Sequence, residues 1–83
     1  MASRIAYKTS VEGDLSRLDR KEGRRILDRF ERALGADPRA GVPLSGEFRG
    51  LFKFRVVDYR VIFTRTPDGI LVLRIAHRQE AYR

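Results

Sequence analysis

With 83 residues, the chain has the length of one small domain, 1–83, too short to enclose a large cofactor, and none is expected. It contains no Cys, which excludes disulfides and thiolate metal sites, and its net charge of +7 points to an acidic partner, either nucleic acid or an acidic protein. No segment approaches the roughly 20 apolar residues of a membrane span, and Met1–Lys8 lacks the apolar run of a signal peptide, so a cytoplasmic protein without membrane contact is expected.

The first predicted element is a short strand over Ser3–Lys8, with Ile5 and Tyr7 on one face. Thr9 and Ser10 offer N-cap oxygens to a helix whose apolar positions are Val11, Leu15 and Leu18. Gly13 weakens that helix by about 1 kcal/mol relative to Ala. Asp19 and Glu22 have the spacing of a capping box and start a second helix. Its apolar stripe is Ile26, Leu27, Phe30, Ala33 and Leu34, while the charged face from Arg20 to Arg32 mixes both signs, as solvated surfaces do. Gly35 is the expected stop, with Pro38 forbidding continuation. The Pro- and Gly-containing stretch 37–50 reads as loop.

Three strands follow, and their alternation assigns faces. In Leu51–Val57, Phe52, Phe54 and Val56 share one face, and Lys53 and Arg55 the other. In Tyr59–Phe63, Tyr59, Val61 and Phe63 lie opposite Arg60. In Ile70–Ile75 the apolar set is Leu71, Leu73 and Ile75, with Arg74 and then Arg78 on the far side. Val57-Asp58 and Pro67-Asp68-Gly69 supply the reversals. The expected fold is therefore α+β in β-α-α-β-β-β order, a helix hairpin packed on one face of a small curved antiparallel sheet whose other face is wet.

If the apolar sets share one core, Lys53, Arg55, Arg60, Arg74 and Arg78 share the opposite surface. Such crowding of positive charge repels itself unless an anion sits in it, and a phosphate backbone suits an elongated cationic groove. An ordinary solvated sheet face is the plainer alternative. The acids argue against it: between Leu51 and Tyr82 they are Asp58, Asp68 and Glu80, all at turns or ends.

The inventory narrows the chemistry. One His, no Cys and no carboxylates at ligand spacing leave no metal site, and no Ser-centred elbow accompanies His77. Cations and a phenol remain, and cleavage of RNA suits them. The 2′-OH must lose a proton and attack the adjacent phosphorus, and guanidinium groups stabilise the charge that develops on the phosphoryl oxygens. Crowding by other cations lowers a lysine's pKa and lets it act as a base. Lys53 is the lysine placed in the patch.

Leu44-Ser45-Gly46, the run Phe52–Phe63 and the run Ile75–Tyr82, with Asp58-Tyr59-Arg60 and His77-Arg78-x-x-x-Tyr82 inside them, resemble the RelE family of toxins in the RelE/ParE superfamily of type II toxin–antitoxin systems. The resemblance covers essentially the whole chain. It implies an endoribonuclease that cleaves messenger RNA in the ribosomal A site and is held in check by a cognate antitoxin protein. By position, it implies catalytic roles for Lys53, Arg55, Arg60 and Arg78, and base stacking for Tyr82; Arg74, which the alternation alone supplies, is kept as a phosphate contact. Arg55 stands where some relatives have a second lysine, leaving Lys53 as the base. The chain ends at Arg83 without the C-terminal helix of many relatives, so displacement of such a helix is not expected.

Two residues carry competing readings. His77 falls in parity with Ile75, toward the core, which favours a structural histidine over a general base or acid. Tyr82 either stacks on RNA or packs on the sheet edge. Two other functions stay open: a ParE-like poison that binds DNA gyrase and cleaves nothing, and an RNA-binding module without activity.

Overall fold

The computed structural model describes residues 4–77. Its elements are β1 (Arg4–Tyr7), α1 (Thr9–Ser16), α2 (Arg20–Ala36), β2 (Val42–Pro43), a 3₁₀ turn (Gly46–Phe48), β3 (Leu51–Val56), β4 (Tyr59–Thr66) and β5 (Gly69–His77). One sheet contains all five strands in the order β1-β5-β4-β3-β2. The order of elements and the helix hairpin on one face are as the sequence predicts, but the sheet is mixed. β1 runs parallel to β5, and the other pairs are antiparallel. The predicted loop 37–50 also contributes β2, a two-residue edge strand. An edge is where Pro43, which has no N–H to donate, fits a sheet.

The helix-covered face is apolar because the amphipathic stripe of α2 meets the apolar parity of the strands. Ile26, Phe30 and Leu34 of α2 and Val11 of α1 are buried against Val56, Val61, Phe63, Ile70, Val72 and Ile75. Phe30 is the hub, edge-on to Phe54 at 5.8 Å and to Phe63 at 5.3 Å. Tyr7 adds a polar tie at the rim, its hydroxyl donating to a carboxylate oxygen of Glu31 on α2. Burial, then the hydrogen bond and negative charge of Glu31, pushes the phenol above its ordinary range.

The alternation expected for β5 is corrected by a β-bulge. Ile62 is opposite Arg74 while Phe63 is opposite Val72, so Leu73 is an extra residue on β5. Parity therefore switches at Leu73. The buried helix-facing set is Ile70, Val72 and Ile75, in place of Leu71, Leu73 and Ile75. Arg74 lies beyond the switch with Ile75, and its expected side is kept.

Helix ends also depart from the sequence reading. Lys8 and Asp19 occupy the N-cap positions, and neither side chain caps its helix. The Ser10 hydroxyl instead donates to Leu73 O at 2.8 Å. α2 continues through Gly35 to Ala36. It stops because Asp37, preceding Pro38, is extended at φ −143°, as a residue before proline tends to be.

The two strand reversals differ in their fit. Gly69 has φ +150°, and a Cβ there would run into the Arg4 backbone, so glycine is required where β1 approaches β5. Val57 has φ +56° although it is β-branched, a conformation that costs it energy. Among the described residues, no helix is long and apolar enough to cross a membrane.

Candidate nucleic-acid interface

On the face opposite the helices, the strand register assembles the predicted cations into two rows. Lys53 of β3 lies beside Ile62 of β4, which lies beside Arg74 of β5. In the next row Arg55 lies beside Arg60, and Arg60 beside Ala76. With strands about 4.8 Å apart and roughly 3.4 Å per residue, the four cations fall within a patch of roughly 10 by 7 Å. Arg78 and Tyr82 lie outside the described residues.

Each side chain reaches this patch for a local reason. Phe52, Phe54 and Val56 go to the helix side, which sends Lys53 and Arg55 to the other. Tyr59, Val61 and Phe63 do the same for Arg60. The tight turn after β3 brings Arg55 and Arg60 directly opposite one another, an arrangement that like charges disfavour. Arg55 Nε donates to Val57 O at 3.0 Å, so the strained turn anchors that guanidinium at its root. Arg60 Nε is buried and has no hydrogen-bond partner among the described residues. A buried, unmet donor on a cation is costly unless a ligand completes it.

The sheet's second face is not uniformly wet. Ile62 and Ala76 are buried between the cations, with Leu44 and Leu51 packed against them. This apolar floor lowers the polarity beneath the cations, which strengthens their charge interactions relative to bulk solvent. The alternation of β4 brings Ile62 to this side with Arg60, and part of its cover comes from Leu44 in the connection that looked like plain loop.

Not every cation of the strands joins the patch. Arg65 of β4 has the opposite parity. Its guanidinium donates to the Pro38 and Ala40 carbonyls and lies over the Phe52 ring, 4.4 Å from its centroid. His77 stands on the helix side with Ile75, as parity predicts, edge-to-face with Tyr59 at 5.7 Å and 84°. Asp14 escaped the sequence reading: its carboxylate accepts the Ile75 N–H at 2.9 Å, a long-range contact that helical spacing does not reveal. Among the described residues, no group of three or more His, Asp or Glu side chains comes together to hold a metal ion.

The chain as a whole is similar to known toxins. The family model for the ParE toxin of the type II toxin–antitoxin system (parDE) matches residues 5–82. The toxin–antitoxin complex RelBE2 from Mycobacterium tuberculosis contains a chain similar to this one, with a TM-score of 0.83 and 25% identity over 94% of this chain and 100% of that one. A chain of the archaeal RelE–RelB complex from Pyrococcus horikoshii has a TM-score of 0.70 and 27% identity over 98% of this chain and 100% of that one. The Escherichia coli DinJ–YafQ toxin–antitoxin complex shares the fold, with a TM-score of 0.74 at 14% identity over 100% of both chains. No curated protein matches the chain in sequence. A family match spanning nearly every residue, on a fold shared with RelE complexes, establishes that the chain belongs to the ParE toxin family of type II toxin–antitoxin systems, within the RelE/ParE superfamily.

Proposed function

We propose that this toxin is an endoribonuclease that cleaves messenger RNA in the ribosomal A site. The observation that carries the reading is the patch of Lys53, Arg55, Arg60 and Arg74, with the buried Arg60 Nε left without a partner. A phosphodiester brings acceptor oxygens and negative charge to such a patch, and an acceptor for Arg60 Nε. Lys53 takes the proton of the 2′-OH. The 2′-oxygen then bonds to phosphorus, the 5′-oxygen departs and is protonated, and a 2′,3′-cyclic phosphate remains. Arg55 and Arg60 stabilise the charge on the phosphoryl oxygens, and Arg74 holds a neighbouring phosphate. Arg78 and Tyr82 take the catalytic and base-stacking roles that the resemblance to RelE toxins implies. A cognate antitoxin is the partner that restrains it, by analogy with the RelE–RelB complexes.

The family match itself favours a second reading, a ParE-like toxin that binds DNA gyrase without cleaving nucleic acid. The short α1 of eight residues and the dense cationic patch support the first, because ParE-like relatives tend to have a longer hairpin and an incomplete set of these residues. A non-catalytic RNA-binding module would use the same patch without breaking a bond. Induced expression followed by mapping of 5′ ends in cellular messenger RNA separates the three. The nuclease reading expects new 5′-hydroxyl ends at codons and arrested translation. Intact messages with altered DNA supercoiling would overturn it in favour of the gyrase reading.

A further inference from the structure

The cationic face ends at β5, and the outer edge of that strand forms a second site. β1 pairs with β5 only from Gly69 to Val72, so residues 73–77 have no strand on that side among the described residues. α1 takes over. The Lys8 N–H donates to Val72 O at 2.9 Å, the Ser10 hydroxyl to Leu73 O at 2.8 Å, and Asp14 accepts from the Ile75 N–H. These contacts satisfy the edge without filling the space a strand would occupy. A cavity of about 390 Å³ remains, within the roughly 300–1,000 Å³ of ligand clefts. An edge is open to both faces, so the wall combines Arg74 and Ala76 from the cationic side with Tyr59 and His77 from the helix side. Asp14 and Arg17 close it from the α1 end.

The wall chemistry selects one ligand class. Tyr59 and His77 stand edge to face at 84°, so a flat ring entering the cavity can lie against the face of one of them. A carboxylate has two acceptor oxygens, and the Ile75 N–H engages one oxygen of Asp14, leaving capacity for a donor on the ligand. Arg17 and Arg74 supply positive charge for the phosphate carried on the sugar of the same nucleotide. Arg74 belongs to both sites, so a strand laid across Lys53 and Arg74 arrives at the cavity. An exocyclic amino group such as cytosine N4 donates to a carboxylate, whereas uracil presents a carbonyl that the carboxylate repels.

We propose that this cavity is a subsite for one nucleobase of the bound RNA, packed against an aromatic ring of its Tyr59 and His77 wall, with Asp14 accepting from its exocyclic amino group and so favouring an amino-bearing base over uracil. The inference rests on RNA being the ligand of the cationic face, and the test separates the two ideas. His77 is the protein's one histidine, so its imidazole gives a distinct NMR signal. The full chain is titrated at low salt with 2′-O-methyl oligocytidine and oligouridine, which lack the attacking 2′-hydroxyl. The expected result is about tenfold tighter binding of oligocytidine, equivalent to about 1.4 kcal/mol, with an upfield shift of the His77 ring protons. Asp14→Asn keeps an acceptor for the Ile75 N–H but brings an amide donor, and should erase the tenfold preference at unchanged melting temperature. Arg17→Ala, at an exposed position, should weaken both oligomers several-fold; if Asp14→Asn does not fold, this variant and the wild-type preference decide. Equal affinities with an unmoved His77 signal would overturn the subsite and leave the RNA reading standing. Failure of the wild type to bind either oligomer would overturn both.

Discussion

Strand β4 carries two arginines five positions apart, and they show what separates the two faces of this sheet. Arg65, on the helix side, donates to two backbone carbonyls and lies over the Phe52 ring. Arg60, on the open side, stands opposite Arg55 with its Nε buried and unmet. Counting charges would treat them alike. Their surroundings set them apart: a guanidinium whose donors are met inside the chain holds the loop after α2 against the sheet, and the other is crowded by like charge, which under the proposed function an anion would relieve. The helix-covered face stabilises the molecule, while the open face gathers like charge and a buried unmet donor that work against stability.

The largest effect expected from this contrast lies on the helix side. Phe30→Ala removes the ring that meets Phe54 and Phe63, and should cost about 3–5 kcal/mol, measured by chemical denaturation. Retention of most of the stability would break the claim that one core under α2 holds the fold. Arg65→Ala should cost about 1–3 kcal/mol through lost hydrogen bonds and its ring contact, with the toxicity of the folded fraction unchanged. Toxicity lost at wild-type stability would move Arg65 to the functional set and blur the contrast.

A smaller change probes the turn that joins the faces. Val57→Gly relieves a β-branched residue at φ +56° and should raise stability by about 0.5–1 kcal/mol, seen as a melting temperature a few degrees higher. A lower melting temperature would show that the Val57 side chain, 52% exposed, contributes more than its strain costs. The smallest effect concerns Tyr7. Tyr7→Phe should cost at most about 1 kcal/mol at neutral pH, because the tie to Glu31 is half exposed. The folded phenol titrates above the unfolded value of 10.0, so its contribution is complete below pH 10 and is lost as pH rises beyond it. Unfolding midpoints followed from pH 8 to 11 should therefore fall less steeply in Tyr7→Phe than in the wild type. Parallel curves would remove Tyr7 from the alkaline response.

Much of the fold and the patch was legible because β3 and β4 alternate strictly. Phe52, Phe54 and Val56 against Lys53 and Arg55 leave one way to place the strand, and Tyr59, Val61 and Phe63 against Arg60 do the same. β5 resisted the same reasoning because Ile70-Leu71-Val72-Leu73 is aliphatic throughout, so its composition does not mark where a bulge shifts the register. Caps were misjudged for a different reason. Ser10 has the chemistry of an N-cap, but β1 ends early and exposes a β5 carbonyl that needs a donor, a tertiary demand with no local signature. Asp14 answers the same demand at Ile75. The mixed sheet was hidden for the same reason, since pairing between the first and last strands depends on how the hairpin returns the chain.

The central claim, that the open face is where RNA is bound and cut, is tested most directly by Arg60→Ala in a paired measurement. Single-turnover cleavage of A-site messenger RNA and thermal unfolding are recorded on the same preparation. Loss of a donor to the developing phosphoryl charge should slow cleavage by about 2–4 kcal/mol, or roughly 30- to 1,000-fold. The melting temperature should stay level or rise, because removing Arg60 relieves its repulsion with Arg55 and its unmet buried donor. Wild-type cleavage by a folded Arg60→Ala protein, or a rate loss that only tracks a fall in melting temperature, would contradict the account.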